Sequence, residues 1–115
     1  MPSRLLVIAG SDSSAGAGLQ ADLKTAQHFG VYAQTVVTAV TAQDTESVQA
    51  VEALPPALVR AQIKAALGDI GADAVKIGML ANAEIARAVA EALGETRVPI
   101  VLDPVLMSSS GRAGR

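Results

Sequence analysis

The sequence predicts an α/β protein, with a mostly parallel sheet and flanking helices, on three observations. Short apolar runs alternate along the chain with segments of helical period. Successive runs lie roughly 30 residues apart, the length of a strand–helix–strand unit. The first run, Leu5 to Ala9, is apolar at every position rather than at alternate ones, as in a strand covered on both faces. At 115 residues the chain has room for one hydrophobic core.

The elements follow in order. Leu5 to Ala9 is the first strand, and residues 16–29 read as a helix in which Leu19, Leu23, Ala26 and Phe29 share a face. Gly30 stands where a left-handed helix end is expected. Val31 to Thr41, with its β-rich centre Thr35 to Val40, is the second strand. Val48 to Leu54 is a weaker strand because its alternation leaves no clean polar face. Pro55 and Pro56 suit the first turn of a helix carrying Val59, Ile63, Ala66 and Leu67, ended by Gly68 and Gly71. Ala74 to Ile77 is a short strand. Asn82 and Glu84 form an N-terminal cap and first turn for a helix bearing Ile85, Val89 and Leu93, with Gly94 as its stop. Val98 to Leu102 is the last strand, and Asp103-Pro104 opens a loop.

Composition excludes several functions. Nine basic residues stand against eleven acidic ones, and Phe29 and Tyr32 are the only aromatic side chains, so neither the charge nor the stacking surfaces for nucleic acid are present. Without cysteine there is no disulfide, zinc-thiolate site or cysteine nucleophile. His28 has no second ligand nearby and reads as an ordinary helix-face histidine. Leu5 to Ala9 is too short for a signal-peptide core or a membrane span, so the expectation is a cytoplasmic protein with no membrane partner. Half of the residues are hydrophobic and 17% are charged, a balance in which some apolar faces expect a partner or further chain.

In open parallel sheets, ligands bind beyond the carboxyl ends of the strands. Here those ends are Gly10-Ser11-Asp12, Thr41 to Thr45, Gly78-Met79-Leu80 and Asp103-Pro104-Val105. Together they offer an amide, carboxylates, hydroxyls, glycine backbone and a thioether, which suits a small polar ring better than a highly charged ligand. The amide of Gln43 can both donate and accept toward a heterocycle edge, although capping and surface roles are common for loop glutamines. Met79 reads either as core or as an adaptable apolar wall. Asp103 could bind a cation, orient a hydroxyl or simply shape the turn before proline.

Residues 10–24 form a glycine- and serine-rich loop leading into a helix, the layout of a ligand-binding turn. Gly10, Gly16 and Gly18 permit positive φ, and the helix entry favours acceptor atoms. Two phosphate-binding readings fail. Gly10 and Gly16 do not fit the spacing of GxxxxGK[ST], and no Lys-Ser or Lys-Thr follows. Gly16 to Ala21 fits GxGxxA, but the insert Ser11 to Ala15 separates it from the strand, and the second strand lacks the acidic end that a ribose would need.

Ala9 to Thr25 closely resembles the opening of the hydroxymethylpyrimidine and phosphomethylpyrimidine kinases of thiamine biosynthesis. Three further segments match in register. Thr38 to Thr45 is similar to that family's TALTAQNT, Asp73 to Leu80 to its DAVKIGML, and Val101 to Val105 to its VLDPV. The departures are Ala15, where glycine is usual, and Asp44, where asparagine is usual.

The resemblance implies a ribokinase-like fold and ATP-dependent phosphorylation of 4-amino-5-hydroxymethyl-2-methylpyrimidine and then of its monophosphate, with Mg2+ as the expected metal. It implies that Gln43 reads the pyrimidine edge, that Asp22 lies near the substrate, that Met79 and Val105 flank the ring, and that the loop containing Gly10 and Ala17 covers it. Asp12 and Asp103 are supporting candidates. No catalytic residue is expected within the chain, because the family's glycine-rich GxGD segment, catalytic base and most of its nucleotide and metal site have no counterpart here. Residues 1–115 are thus expected to form the amino-terminal, substrate-side part of one kinase domain, inactive alone. Two other functions stand beside this one: a pyridoxal kinase of the same superfamily, and a noncatalytic binding fragment that pairs as a homo-oligomer or with a separate carboxyl-terminal half.

Overall fold

The computed structural model describes residues 2–103. Five strands and three helices alternate as β1 (Arg4–Ser11), α1 (Gly18–His28), β2 (Tyr32–Gln43), β3 (Val48–Ala53), α2 (Pro56–Gly68), β4 (Ala74–Ile77), α3 (Ala83–Leu93) and β5 (Ile100–Leu102). The sheet order is β3-β2-β1-β4-β5. β1 pairs in parallel with both β2 and β4, and β4 with β5, whereas β3 returns antiparallel beside β2. The mostly parallel expectation therefore holds, and the exception is the hairpin whose short turn can only join antiparallel strands.

Helices cover both faces of the sheet. Leu6, Ile8, Val36, Val75 and Ile77 meet Val59 and Ile63 of α2 and Ile85 and Val89 of α3 on one face. Val7 and Ala9 meet Leu19 of α1 on the other. This division explains why β1 is apolar at every position from Leu5 to Ala9. Burying an aliphatic side chain of this size stabilises the fold by about 1.5–3 kcal/mol, so β1, which contributes to both layers, organises the core.

Local signals explain most boundaries. Asn82 Oδ1 accepts the Ile85 N–H at 2.9 Å, and Pro56 opens α2. Gly30 has φ 71°, as its helix-ending position requires. Helix α1 is shorter than the 16–29 span expected from periodicity, because Ala17 is extended and Phe29 lies past the last turn. Phe29 consequently leaves the apolar face: it is 72% exposed and stacks edge-on against His28 at 4.9 Å. β5 begins at Ile100 rather than Val98. Pro99 has no N–H to donate, and its carbonyl accepts the Val75 N–H at 2.9 Å. At the outer edge of the sheet, Ile100, Val101 and Leu102 are 43%, 57% and 67% exposed.

At the amino ends of the strands, the Arg4 guanidinium meets Asp73 at 2.9 Å and donates to the Ile70 carbonyl at 2.6 Å. This contact fixes β4 beside β1. The opposite ends of those strands are left to form a site.

Candidate functional site

The chain leaves β1 toward α1 on one face, and leaves β4 toward α3 on the other. The connections therefore part at the carboxyl ends of these neighbouring strands, the position where open α/β sheets form ligand crevices. A cavity of about 490 Å3 lies there. Its lining includes residues from all four strand ends anticipated from sequence: Gly10 to Asp12, Thr41 and Gln43, Gly78 to Leu80, and Asp103. Ala17 and Asp22 join them from the start of α1. Val105 lies outside the described residues.

The glycine-serine loop is built around Asp12. This nearly buried carboxylate accepts the Ser14 N–H at 2.8 Å, the Ser14 hydroxyl at 2.7 Å and the Ala17 N–H at 2.7 Å. Burial pushes its pKa up, but hydrogen bonds from the Ser14 hydroxyl and the Ser14, Ala17 and Gly16 N–H groups together outweigh that effect and hold it below the ordinary aspartate value. The loop amides that could cradle a phosphate are thus directed at the protein's own carboxylate. Gln20 adds a second tie, accepting the Asp12 N–H at 2.8 Å and donating to the Ser11 hydroxyl at 2.7 Å.

The loop uses its glycines differently from the sequence expectation. Among the three, only Gly18 has positive φ, at 60°, and a Cβ there would lie 2.4 Å from the Gly10 carbonyl oxygen. Ala15 has φ 66°, a left-handed conformation at the position where the resemblance expects glycine. Asp44, the other departure, shapes the hairpin turn: its Oδ1 accepts the Glu46 and Ser47 N–H groups, each at 2.9 Å.

Charge in the cavity is concentrated on one side. Lys76 projects from β4 and donates to Asp22 at 2.5 Å, with Asp103 Oδ2 3.9 Å away. Sequence reading missed Lys76. A lysine inside the apolar strand Ala-Val-Lys-Ile was the available signal, but only the sheet order shows that its face is the cavity face. Gln43 differs from these charged groups: its side-chain amide makes no hydrogen bond to another described residue. Apart from the hydroxyl residues Ser11 and Thr41, the remaining lining is apolar or glycine, including Ala21, Ala39, Val48, Val51, Leu80 and the 44%-exposed Met79. Val48 and Val51 of β3 also line the cavity, and no motif or buried stripe in the sequence marks them.

A mostly parallel sheet with a polar-and-aliphatic cavity at its switch point is the architecture of open α/β proteins, in which ligand crevices form at the strand ends. The chain belongs to the phosphomethylpyrimidine kinase family, whose model matches residues 12–113. It is 50% identical over 112 residues to the hydroxymethylpyrimidine/phosphomethylpyrimidine kinase of Streptomyces coelicolor, covering 97% of this chain and 42% of that protein. The crystal structure of phosphomethylpyrimidine kinase from Clostridium difficile superposes with a TM-score of 0.91 at 47% identity, covering 96% of this chain and 48% of that one. Pyridoxal kinase from Staphylococcus aureus, in complex with AMP-PCP and pyridoxal, gives a TM-score of 0.80 at 40% identity over 91% of this chain and 40% of that one. The ribokinase-like expectation for the fold is borne out, and the chain spans less than half the length of these relatives. Among the described residues, no helix is long and apolar enough to cross a membrane.

Proposed function

We propose that this chain is the amino-terminal, substrate-side part of a cytoplasmic kinase that phosphorylates 4-amino-5-hydroxymethyl-2-methylpyrimidine and its monophosphate for thiamine biosynthesis. The observation that carries the reading is the Gln43 amide in the cavity lining, uncommitted to any other described residue, in a chain of this family. An amide presents a donor and an acceptor side by side, matching an aminopyrimidine edge, while Met79 supplies an adaptable wall for the ring. Asp22, held by Lys76, is the polar group for the hydroxymethyl side. Gly10 and Ala17 close the cavity from the loop, Asp12 shapes that loop, Asp103 supports Lys76, and Val105 is the proposed second wall.

ATP is the phosphoryl donor in this reading, with Mg2+ beside it. The described residues do not fit either group. Among the described residues, the cavity carries Asp12, Asp22 and Asp103 against one cation, Lys76, a net negative charge that repels a triphosphate, and no cluster of three carboxylate or histidine groups could hold a metal. Phosphoryl transfer needs positioned positive charge and an activated acceptor hydroxyl. We assign those roles to the portion of the kinase family beyond this chain.

Calorimetric titration of the 115-residue chain tests the reading. Hydroxymethylpyrimidine should bind, Gln43→Leu should weaken it on the order of tenfold, and ATP with Mg2+ should give no turnover. Binding of pyridoxal in preference to the pyrimidine would favour the second reading, which the pyridoxal kinase neighbours support. Failure to bind either ring would sink the substrate-side assignment, and pyrimidine phosphorylation by the chain alone would overturn the assignment of chemistry elsewhere.

A further inference from the structure

We propose that Ser13 is a positioning residue for Gln43, aiming its side-chain amide into the cavity; this rests on the reading of Gln43 as the pyrimidine ligand. Regular strand pairing weakens on both sides of β2 near its end. Toward β3 the register runs evenly from Ala39 opposite Ala53 to Ala42 opposite Ala50, then slips so that Gln43 faces Val48. Toward β1 it slips between Ala9, opposite Val37, and Ser11, opposite Val40. An irregularity of this kind re-aims the side chain it carries, so the direction of residue 43 depends on what holds its main chain.

One hydroxyl holds both of its polar groups. Ser13 Oγ accepts the Gln43 N–H at 2.9 Å and donates to the Gln43 carbonyl at 3.0 Å. Fixing the peptides before and after the same Cα fixes the Cα–Cβ direction. A hydroxyl can do this alone because it is donor and acceptor at once. The same strand uses the device again at Val37, where the Gln62 amide accepts the N–H and donates to the carbonyl, both at 2.9 Å.

Ser13 is itself anchored. Its neighbour Ser14 is bound twice to Asp12, and Thr41 Oγ1 donates to the Ser11 carbonyl at 2.8 Å. The serine loop therefore transmits the position of a nearly buried carboxylate to the ligand-reading amide. Its hydroxyl acts through the Gln43 backbone and makes no claim on the substrate.

A double-mutant cycle on the 115-residue chain tests this. Ser13→Ala should weaken hydroxymethylpyrimidine binding on the order of five- to tenfold, and Ser13→Thr, which keeps the hydroxyl, should restore it to within about twofold. Adding Ser13→Ala to Gln43→Leu should cost less than about twofold, since the group being aimed is gone. An equal loss in both backgrounds would mean a merely structural serine and would overturn the proposal. If Gln43→Leu binds like the wild type, the pyrimidine reading of Gln43 fails, and the proposal with it. Amide hydrogen exchange gives an answer independent of ligand: Gln43 N–H should exchange on the order of tenfold faster in Ser13→Ala and not in Ser13→Thr. Unchanged exchange would sink the coupling even where the pyrimidine binds as expected.

Discussion

Lys76 Nζ lies 2.5 Å from Asp22 Oδ1, joining the central part of the sheet to helix α1 across the floor of the cavity. The lysine comes from the face of β4 opposite to buried Val75 and Ile77, and Asp103 Oδ2 stands 3.9 Å from the same ammonium. One ammonium group thus offsets two carboxylates that would otherwise repel each other within a concave, partly dehydrated surface.

Replacing Lys76 should therefore do more than remove a surface ion pair. Lys76→Met leaves Asp22 without its charged partner, and the expected loss is about 1–2 kcal/mol, below the cost of breaking a fully buried pair because both side chains retain some solvent contact. Lys76→Arg should recover part of the stability but not the geometry, since a planar fork replaces a compact ammonium. Urea unfolding gives the first quantity, and hydroxymethylpyrimidine titration gives the second, with Lys76→Met expected to weaken binding severalfold. Stability equal to the wild type in Lys76→Met would show that the pair is incidental.

The contrast between Lys76 and Gln43 shows what a sequence can carry. Gln43 stands at the end of a recognisable strand, so its place at a carboxyl end can be deduced before the sheet is assembled; the same holds for Gly10, Asp12, Met79 and Asp103. Lys76 lies within a strand, and its face is decided by which neighbours β4 acquires, namely β1 and β5, through contacts distant in sequence. Ser13 was legible only as one member of a polar loop, because its partner is thirty residues away. β3 read weakly for a related reason: all its residues are exposed, so no buried stripe marks it. Helix α3, by contrast, carries its cap, its apolar face and its glycine stop locally.

Asp12 should make the loop acid-sensitive. Its folded pKa lies below the ordinary aspartate value of about 3.9, so the stabilisation it confers is fully present above that value and is lost as pH falls through the folded value. Asp44 and Asp73 are also depressed, by hydrogen bonds from Glu46 and Ser47 N–H groups and from Arg4 respectively, but both are exposed. Asp12→Asn should lower stability at neutral pH by about 1–3 kcal/mol, because an amide cannot accept on both sides and turns a donor toward either Ser14 or Ala17. It should also flatten the decline between neutral and acidic pH. Urea midpoints measured along that range would contradict this if the variant kept the wild-type slope.

Ala15 and Gly18 offer opposite tests of the same loop. Both have positive φ, at 66° and 60°, but only Gly18 is also hemmed in by backbone. Ala15→Gly removes a left-handed alanine that costs about 1–2 kcal/mol, while enlarging the unfolded chain's freedom by about 0.4–1 kcal/mol, so the net expectation is a small gain. Gly18→Ala adds the same conformational cost and drives a Cβ to 2.4 Å from the Gly10 carbonyl oxygen. Because Gly10 cannot move without displacing the end of β1, that variant should lose several times what Ala15→Gly gains, and its pyrimidine binding should fall with its stability. Thermal unfolding of the two variants decides the matter: a loss in Ala15→Gly, or a neutral Gly18→Ala, would mean that the loop adjusts freely and does not hold the cavity in shape.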